Sequence, residues 1–413
     1  MKFAIIHPSL KAKGGAENVV IWLAEGLVKR GQAVTVITSD YDEDFYGPIR
    51  DKSFKIKTLK LYGYAMSPLK FFLAGVTLSK ELGKYDVVNP HNFPAYIWCY
   101  IAQKINPKIQ KIIWFCEEPM RMFYRDIIDE HVRMLPQERS GIGGENHLKS
   151  SSASRMENRG LIGALKSRLV NKKNEFNFWL AKKIDQFIVP RLDQILTNSQ
   201  FIAANIQKIF GRPALPCLLG IPPDRFHNSS SRVGLHNYML TVARLYPEKN
   251  VENIIRAVKI LIDERRFDFE RYFIAGSGPL EDHLGQVISN LKLEKEVKLL
   301  GFVSEEELSR LYRGAALIVY LSLDETYGLV FPEAAFYRKP VVGPNHGGPT
   351  ELIIDGKTGV LVDPLSSRKI AQGIKKIMSM DYKKMGENGY NNYFANLTFD
   401  KFRDRFLKII IDR

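Results

Sequence analysis

The first forty residues constrain the fold more than any other stretch. KFAIIHP (Lys2–Pro8) is an apolar run, SLKAKGGAEN (Ser9–Asn18) carries paired glycines, VVIWLAEGLVKRG (Val19–Gly31) has apolar residues at helical spacing, and AVTVITSD (Ala33–Asp40) is apolar again. Short runs that are apolar on every side belong to strands covered on both faces, the situation in a parallel sheet flanked by helices. Strand, glycine turn, helix and strand therefore predict a βαβ unit with a right-handed crossover. Gly31 stands where such a helix needs a residue of positive φ to stop.

The same alternation runs on. Strands are expected at Asp86–Asn89, Lys111–Phe115, Gln194–Asn198 and Cys217–Gly220. NSSSRVGLHN (Asn228–Asn237) reads as a hinge, after which a second series begins. YMLTVAR is a strand, and NVENIIRAVKILIDE a helix capped by Asn250. RYFIAGSG and VKLLG are strands, and SEEELSRLYRGA opens on a capping box of Ser304 and Glu307. ALIVYLS is a strand, PEAAFYRK a short helix with Pro332 in its first turn, and PVVG and TGVLV complete the set.

This pattern predicts an α/β protein of two facing Rossmann-like domains with a cleft between them. A chain of 413 residues that is 45% apolar is long enough for two cores. The expected bounds are 1–230 and 235–395, followed by an amphipathic helix over 396–413 that packs back on the first domain. Within the first domain, 136–185 reads as a mobile basic insertion, polar and Gly/Ser-rich over Pro136–Arg159. LIGALKSRLVNKKNEFNFWLAKKI (Leu161–Ile184) then interleaves apolar and basic positions as a helix does.

Charge and cysteine usage narrow the classes of function. The net charge of +15 implies an anionic partner. From His147 to Arg191 there are ten Lys/Arg against three Asp/Glu, a net of +7, so about half the excess lies in one segment. Cys99, Cys116 and Cys217 form no CxxC, which fits a reducing compartment without structural disulfides. No HExxH or Cys/His cluster marks a metal site. MKFAIIHPS lacks the apolar core of a secretory signal, and no run approaches the roughly 18–20 residues of a membrane span. The expected location is the cytoplasm.

Ligands of open α/β sheets sit at the carboxyl ends of strands, and the candidate residues follow predicted strands. Gly14 and Gly15 open a helix after the first strand, as a phosphate loop or a plain tight turn. Arg244 and Lys249, in VARLYPEKN, are two cations five positions apart that suit one diphosphate. Gly276 and Gly278 follow RYFIA, and Gly301, Phe302 and Val303 follow VKLL, each as a helix-initiating turn or a backbone platform beside a base. DETYGLVFPEAA holds Glu325 and Glu333 eight positions apart, with a loop over Thr326, Tyr327, Gly328, Leu329 and Val330 whose amides suit an anion. Glu333 falls in the first turn of a helix beginning near Phe331 or Pro332, a favourable place for an acid in any case. His91 follows a strand, as do Glu117 and Glu118, a like-charged pair that needs a partner such as Arg121. Asp40, Asp42 and Asp44 read as a solvated loop rather than a metal cluster.

These residues together resemble the retaining GT-B glycosyltransferases of family four, which move sugars from nucleotide-sugar donors. The likeness spans nearly the whole chain: HPSLKAKGGAENVV, VARLYPEKN, FIAGSGP, LLGFV and ETYGLVFPEAAFYRKPVVGPNHGGPTELI stand in the family's order and spacing. The last is the most specific. The resemblance implies that the first domain takes the acceptor and the second the nucleotide-sugar. It implies that Arg244 and Lys249 neutralise the leaving diphosphate, that Gly15 lets backbone approach it, and that Glu333 accepts the ribose hydroxyls. Glu325 and the loop after it would hold the donor sugar, and the Gly301–Val303 segment would meet the base. His91, Glu117 and Arg121 would lie on the acceptor or sugar side. Relatives carry a histidine in a stretch like YCHEPPR where this chain has FCEEPMR, so Glu117 replaces that histidine and Met120 a proline.

The chemistry expected from this layout is metal-independent transfer with retention, because two cations and loop amides meet the charge that develops on the departing phosphate. No cofactor beyond a UDP- or GDP-sugar is expected, and mannose is the first donor to try. The acceptor would be a lipid-linked glycan or polysaccharide, with the basic Leu161–Arg191 stretch on an anionic membrane surface. Two other readings stay open, a nucleotide-sugar epimerase and a relative that binds donor without transferring it. Nucleic acid is not expected as a partner, since no aromatic platforms alternate with the cations.

Overall fold

The computed structural model describes residues 1–11, 14–128, 161–226 and 237–412, the side chains of 125–128, 161–173 and 225 excepted. The chain divides into two compact units: Met1–Asn198 with Ile202–Pro216, and Ser199–Phe201 with Cys217–Arg413.

In the first unit the predicted βαβ start is present. β1 (Lys2–His7) and β2 (Ala33–Thr38) pair in parallel, Ile5 opposite Val36, around a helix over Gly15–Lys29. Gly31 takes φ +75° and its amide reaches the Val28 carbonyl, which stops the helix. β3 (Lys55–Thr58), β4 (Val87–Pro90), β5 (Ile113–Cys116), β6 (Gln194–Thr197) and β7 (Leu215–Pro216) follow. They form two parallel ladders, β3-β2-β1-β4 and β5-β6-β7, joined by parallel bridges at Val88–Ile112 and His91–Phe115. The chain thus runs outward from β1 to one side and from β4 to the other, the doubly wound arrangement whose switch point lies between β1 and β4.

The second unit repeats this order in one sheet. β8 (Tyr238–Val242), β9 (Arg271–Ala275), β10 (Val297–Gly301), β11 (Ala315–Val319), β12 (Val341–Pro344) and β13 (Gly359–Val362) lie in the order β10-β9-β8-β11-β12-β13, all parallel. The switch point is between β8 and β11. The helix Val251–Asp263 buries Ile254, Ile255, Val258 and Leu261, spaced three and four apart, in one apolar cluster with Met239, Tyr272 and Leu317. Fully burying each such side chain contributes about 1.5–3 kcal/mol, so the cluster fixes the strand ends with little freedom.

Several expectations change. Cys217–Gly220 is not a strand: the pairing residues are Leu215–Pro216. The second unit begins at Cys217, whose following residues lie close under the end of the chain. A Cβ on Gly220 would stand 2.1 Å from the Thr398 carbonyl oxygen. Arg405 Nη2 donates to the Leu218 carbonyl at 2.6 Å, and Ile221 bridges to Thr398. The final helix, Phe399–Ile411, is accordingly grouped with the second unit rather than with the first. Asn250 stands at the N-cap position but at φ +59° without a side-chain cap; its amide is spent on the carbonyls of Leu321 (3.1 Å) and Pro364 (2.7 Å). Ser304 caps as expected, accepting from the Glu307 amide at 3.2 Å. The basic helix runs over Leu161–Ile188. The expected loop over Pro136–Arg159 and most of the hinge at Asn228–Asn237 lie outside the described residues.

Candidate active site

In the second unit the switch point gathers the loops after β8 and β11. The loop after β8 carries Arg244 and Lys249, and that after β11 carries Ser322, Glu325 and Gly328. Lys249 ends a short 3-10 turn and points at the β11 loop. Its Nζ is 3.1 Å from Glu325 Oε2 and 3.4 Å from Ser322 Oγ, so the two predicted residues form one ion pair. An ammonium has three donors, and these contacts use two of them. Tyr320, directly after β11, closes the arrangement by donating its hydroxyl to Glu325 Oε2 at 2.5 Å. Burial works to raise the Glu325 pKa, but the Lys249 charge, the Tyr320 and Lys249 hydrogen bonds and the Tyr327 amide outweigh it and hold the carboxylate ionised. Arg244 is exposed, with its guanidinium 5.6 Å from the centre of the Tyr246 ring.

The glycines of this region answer to backbone contacts. Gly276 has φ +135°, and a Cβ there would lie 1.8 Å from the Ala243 carbonyl oxygen; on Gly278 it would lie 2.6 Å from that of Leu245. The Leu245 amide donates to the Ser277 carbonyl at 2.9 Å. Close approach of the two loops therefore requires glycine at Gly276 and Gly278, and the GSG turn fixes the segment that presents Arg244. Gly328 has φ +91°, and a side chain there would strike the Phe331 ring at 2.5 Å.

The loop after Glu325 is held from beneath. Thr326 accepts from Ser199 Oγ through its carbonyl at 3.1 Å, and the buried Tyr327 gives its hydroxyl to the Leu219 carbonyl. The Ser199 and Tyr327 side chains thus shape the backbone of the loop. The short helix begins at Val330 behind Leu329, slightly earlier than expected. Glu333 lies in its first turn, 7% exposed, with Oε2 accepting from Tyr312 at 2.8 Å. Its hydrogen-bond donor, Tyr312, differs from those of Glu325. Val303 is half-buried after β10, while its neighbour Phe302 is 84% exposed.

In the first unit the switch point gathers another set. Gly15 opens the first helix behind Gly14. His91, directly after β4, stacks on Phe115 with ring centres 5.1 Å apart and gives Nδ1 a distance of 3.7 Å to Glu117 Oε1. Burial, as the leading cause, pushes the Glu117 carboxyl up to about 8 and the His91 imidazole down to about 3. Arg121 pairs with Glu118 at 2.7 Å and not with Glu117. His7 ends β1 with its Nδ1 2.7 Å from the Ser9 carbonyl. The acidic SDYDED loop has a structural account: Asp42 accepts from the amides of Asp44 and Phe45 and caps a short helix, and Asp40 accepts from Ser9. Among the described residues no group of His, Cys, Asp or Glu is arranged to hold a metal ion.

The sequence left out Tyr320 and Tyr312, the hydroxyl donors to the two glutamates. For Tyr320 the legible signal was a hydroxyl at the carboxyl end of an apolar strand run, ALIVYLS; Tyr312, on the preceding helix, gave none.

Comparison with known proteins bears on this arrangement. Residues 224–392 match the model of the glycosyl transferases group 1 family, and residues 13–132 match that of Glycosyltransferase Family 4. The chain is 28% identical over 218 residues to an uncharacterized glycosyltransferase of Methanocaldococcus jannaschii, covering 49% of this chain and 53% of that protein. It is 22% identical to the alpha-1,3/1,6-mannosyltransferase ALG2 of Rhizomucor pusillus across all of this chain and 92% of that one. Four of the curated relatives are matched over only 36% to 53% of their own length. Among solved structures, Anabaena HepE in complex with UDP and glucose is similar over the full length of both chains, with a TM-score of 0.71 at 18% identity. That likeness is one of fold, two Rossmann-like domains. The chain thus carries a segment matching the glycosyl transferases group 1 model and one matching Glycosyltransferase Family 4, and it has the GT-B fold.

Proposed function

We propose that the protein is a glycosyltransferase that moves a hexose from a nucleoside-diphosphate sugar to a glycan acceptor, with retention and without a metal. The observation that carries this reading is the Lys249–Glu325 pair at the β8/β11 switch point, inside the segment matched by the group 1 model. Breaking the sugar–phosphate bond leaves negative charge on the diphosphate. The exposed Arg244 and the remaining donor of Lys249 would meet that charge, the role a divalent ion has in other enzymes. Lys249 is presented by a carboxylate partner, so its position is set before the diphosphate arrives and little reorganisation is needed during transfer.

Glu325, held ionised, orients the donor sugar by accepting its hydroxyls. Glu333 is assigned to the ribose hydroxyls, and the exposed Phe302 offers a face to the base. Gly15 brings backbone to the diphosphate, and His91, Glu117 and Arg121 serve the sugar or acceptor. Mannose from a GDP donor is the first choice, supported by the full-length likeness to an alpha-1,3/1,6-mannosyltransferase. The HepE complex with UDP and glucose makes UDP-glucose the second.

A lipid-linked acceptor and peripheral membrane attachment are supported by the basic helix Leu161–Ile188. Phe176, Trp179 and Phe187 are each more than half exposed there, beside Lys182, Lys183 and Arg191. No helix among the described residues is long and apolar enough to cross a membrane.

The deciding experiment is thermal stabilisation by a panel of UDP- and GDP-sugars, followed by transfer assays with and without a chelator. A donor at a hundred times its Kd stabilises by about 2.7 kcal/mol, a shift readily measured. If no nucleotide-sugar raises the midpoint, the donor-site assignment is wrong. If a donor binds but only isomerises, the epimerase reading replaces this one.

A further inference from the structure

Glu117 directly follows β5, and its surroundings dictate its protonation. Asn89, on β4, is fully buried. Its Nδ2 donates to the Ile113 carbonyl at 2.6 Å, so its Oδ1 is an acceptor facing His91. His91 Nε2 lies 3.0 Å from that oxygen and must carry the ring proton. A neutral imidazole then presents a bare lone pair at Nδ1. The atom opposite is Glu117 Oε1 at 3.7 Å, and neither atom has a hydrogen-bond partner among the described residues, though both are sealed from solvent. Two acceptors left facing each other in a dry site are costly. The conflict disappears when Oε1 carries a proton and a small rotation brings it onto Nδ1.

The other groups around the carboxyl agree. Tyr64, in the segment after β3, and Cys116 on its own strand feel Glu117 as a like-signed neighbour. Glu17, on the first helix, acts on Tyr64 in the same sense, and His7 at the end of β1 faces His91. Glu118 is nearby and already paired with Arg121, the cation of this loop. Burial raises the Glu117 carboxyl to about 8, with no cation offsetting it. The side chain retains 15% exposure although Oε1 has none, so the part that meets solvent is the other side of the carboxyl group.

We propose that Glu117 works as an uncharged carboxylic acid, its Oε1 proton held by His91 and its Oε2 left as a neutral acceptor for one sugar hydroxyl. A carboxylic acid locked this way offers the sugar one acceptor and no charge. A carboxylate there would instead be a buried negative charge with no cation to offset it. Glu117 is therefore a specificity-determining residue, and His91 positions it through the proton between them. The proposal rests on the sugar-transfer reading for the identity of the ligand, but not for the state of the carboxyl.

The test uses the full chain and two readouts. Infrared difference spectra between the wild type and Glu117→Gln should show the C=O band of a protonated carboxylic acid at pH 7, fading as pH rises past about 8. In transfer assays with the donor identified by thermal shift, kcat/KM of the wild type should fall on the alkaline side with an apparent pKa near 8. Glu117→Gln, whose amide can donate to His91 and accept from the sugar, should lower kcat/KM by about threefold and lose that alkaline limb. Glu117→Ala should cost about tenfold or more, the loss expected when a buried partner is left unpaired. An ionised Glu117 at pH 7 with transfer intact overturns the proposal and leaves the transferase reading standing. A protonated Glu117 with no turnover of any nucleotide-sugar overturns the transferase reading, and the sugar half of the proposal with it. An alkaline limb that persists in Glu117→Gln also overturns it.

Discussion

Glu325→Gln isolates the ion pair on which the donor-site reading depends. The side chains of Lys249 and Glu325 are 18% and 16% exposed, so the pair is mostly but not wholly dry. Removing one partner of a buried pair costs about 3–5 kcal/mol, because the other charge stays behind. The residual exposure places this case near the lower end, about 3 kcal/mol. Glutamine keeps an oxygen for the Tyr320 hydroxyl, so the loss reports the charge and not that hydrogen bond. In a unit of this size 1 kcal/mol moves the melting midpoint by about 2–4 °C, so a drop of about 6–12 °C is expected by calorimetry. The sign with pH follows from the lowered Glu325 pKa. The stabilisation is present above the unfolded carboxyl value and is lost as pH falls through the folded one, so the gap between variant and wild type should close in acid. A double-mutant cycle with Lys249→Met is the sharper check. Once Lys249 is gone, Glu325→Gln should cost less by about 1–3 kcal/mol than it does in the wild type. Strictly additive losses would refute the claim that these two residues form one unit.

Three further outcomes follow. Glu333→Ala should weaken UDP or GDP binding by isothermal calorimetry, whereas Glu325→Ala should cut kcat with nucleotide affinity largely kept; equal loss of affinity in both removes the division of tasks. Gly276→Ala should cost more than 2 kcal/mol in chemical denaturation, since its Cβ would stand 1.8 Å from the Ala243 carbonyl oxygen at φ +135°; a neutral result would show that the Arg244 loop yields easily. Asp185, buried between the hydroxyls of Tyr96 and Tyr124, has its carboxyl raised by burial to about 6. The folded state therefore holds an extra proton between about pH 4 and 6, and stability should fall as pH rises through that window. The wild-type-minus-Asp185→Asn difference should slope by up to about 1.4 kcal/mol per pH unit there and be flat above pH 7.

Local pattern determined much of this protein. Apolar runs alternating with amphipathic helices specify two parallel sheets, because a strand apolar on both sides has no other stable setting. Order along the chain then places Arg244, Lys249, Glu325, His91 and Glu117 after strands, where α/β proteins bind ligands. Gly31 and Ser304 were legible for the same reason: turn and cap chemistry acts within a few residues.

What adjacency in space supplies was not legible. Nothing in VARLYPEKN reveals that Lys249 is 3.1 Å from Glu325, seventy-six positions later, or that Tyr320 and Tyr312 serve the two glutamates. Asn250 looked like a cap because its type and position fit; only the packed loops show its amide spent on Leu321 and Pro364. The glycines of GSG read as a helix-initiating turn or a backbone platform, and only the tertiary structure shows that they admit the neighbouring backbone. Glu117 is the clearest case. Its residue type predicts a carboxylate, and its charge is decided by burial and by a proton network running through His91 to Asn89 and Ile113. Sequence sets which groups are present and at which strand end, while the dielectric and hydrogen bonds that fix their charge exist only once the sheet has closed over them.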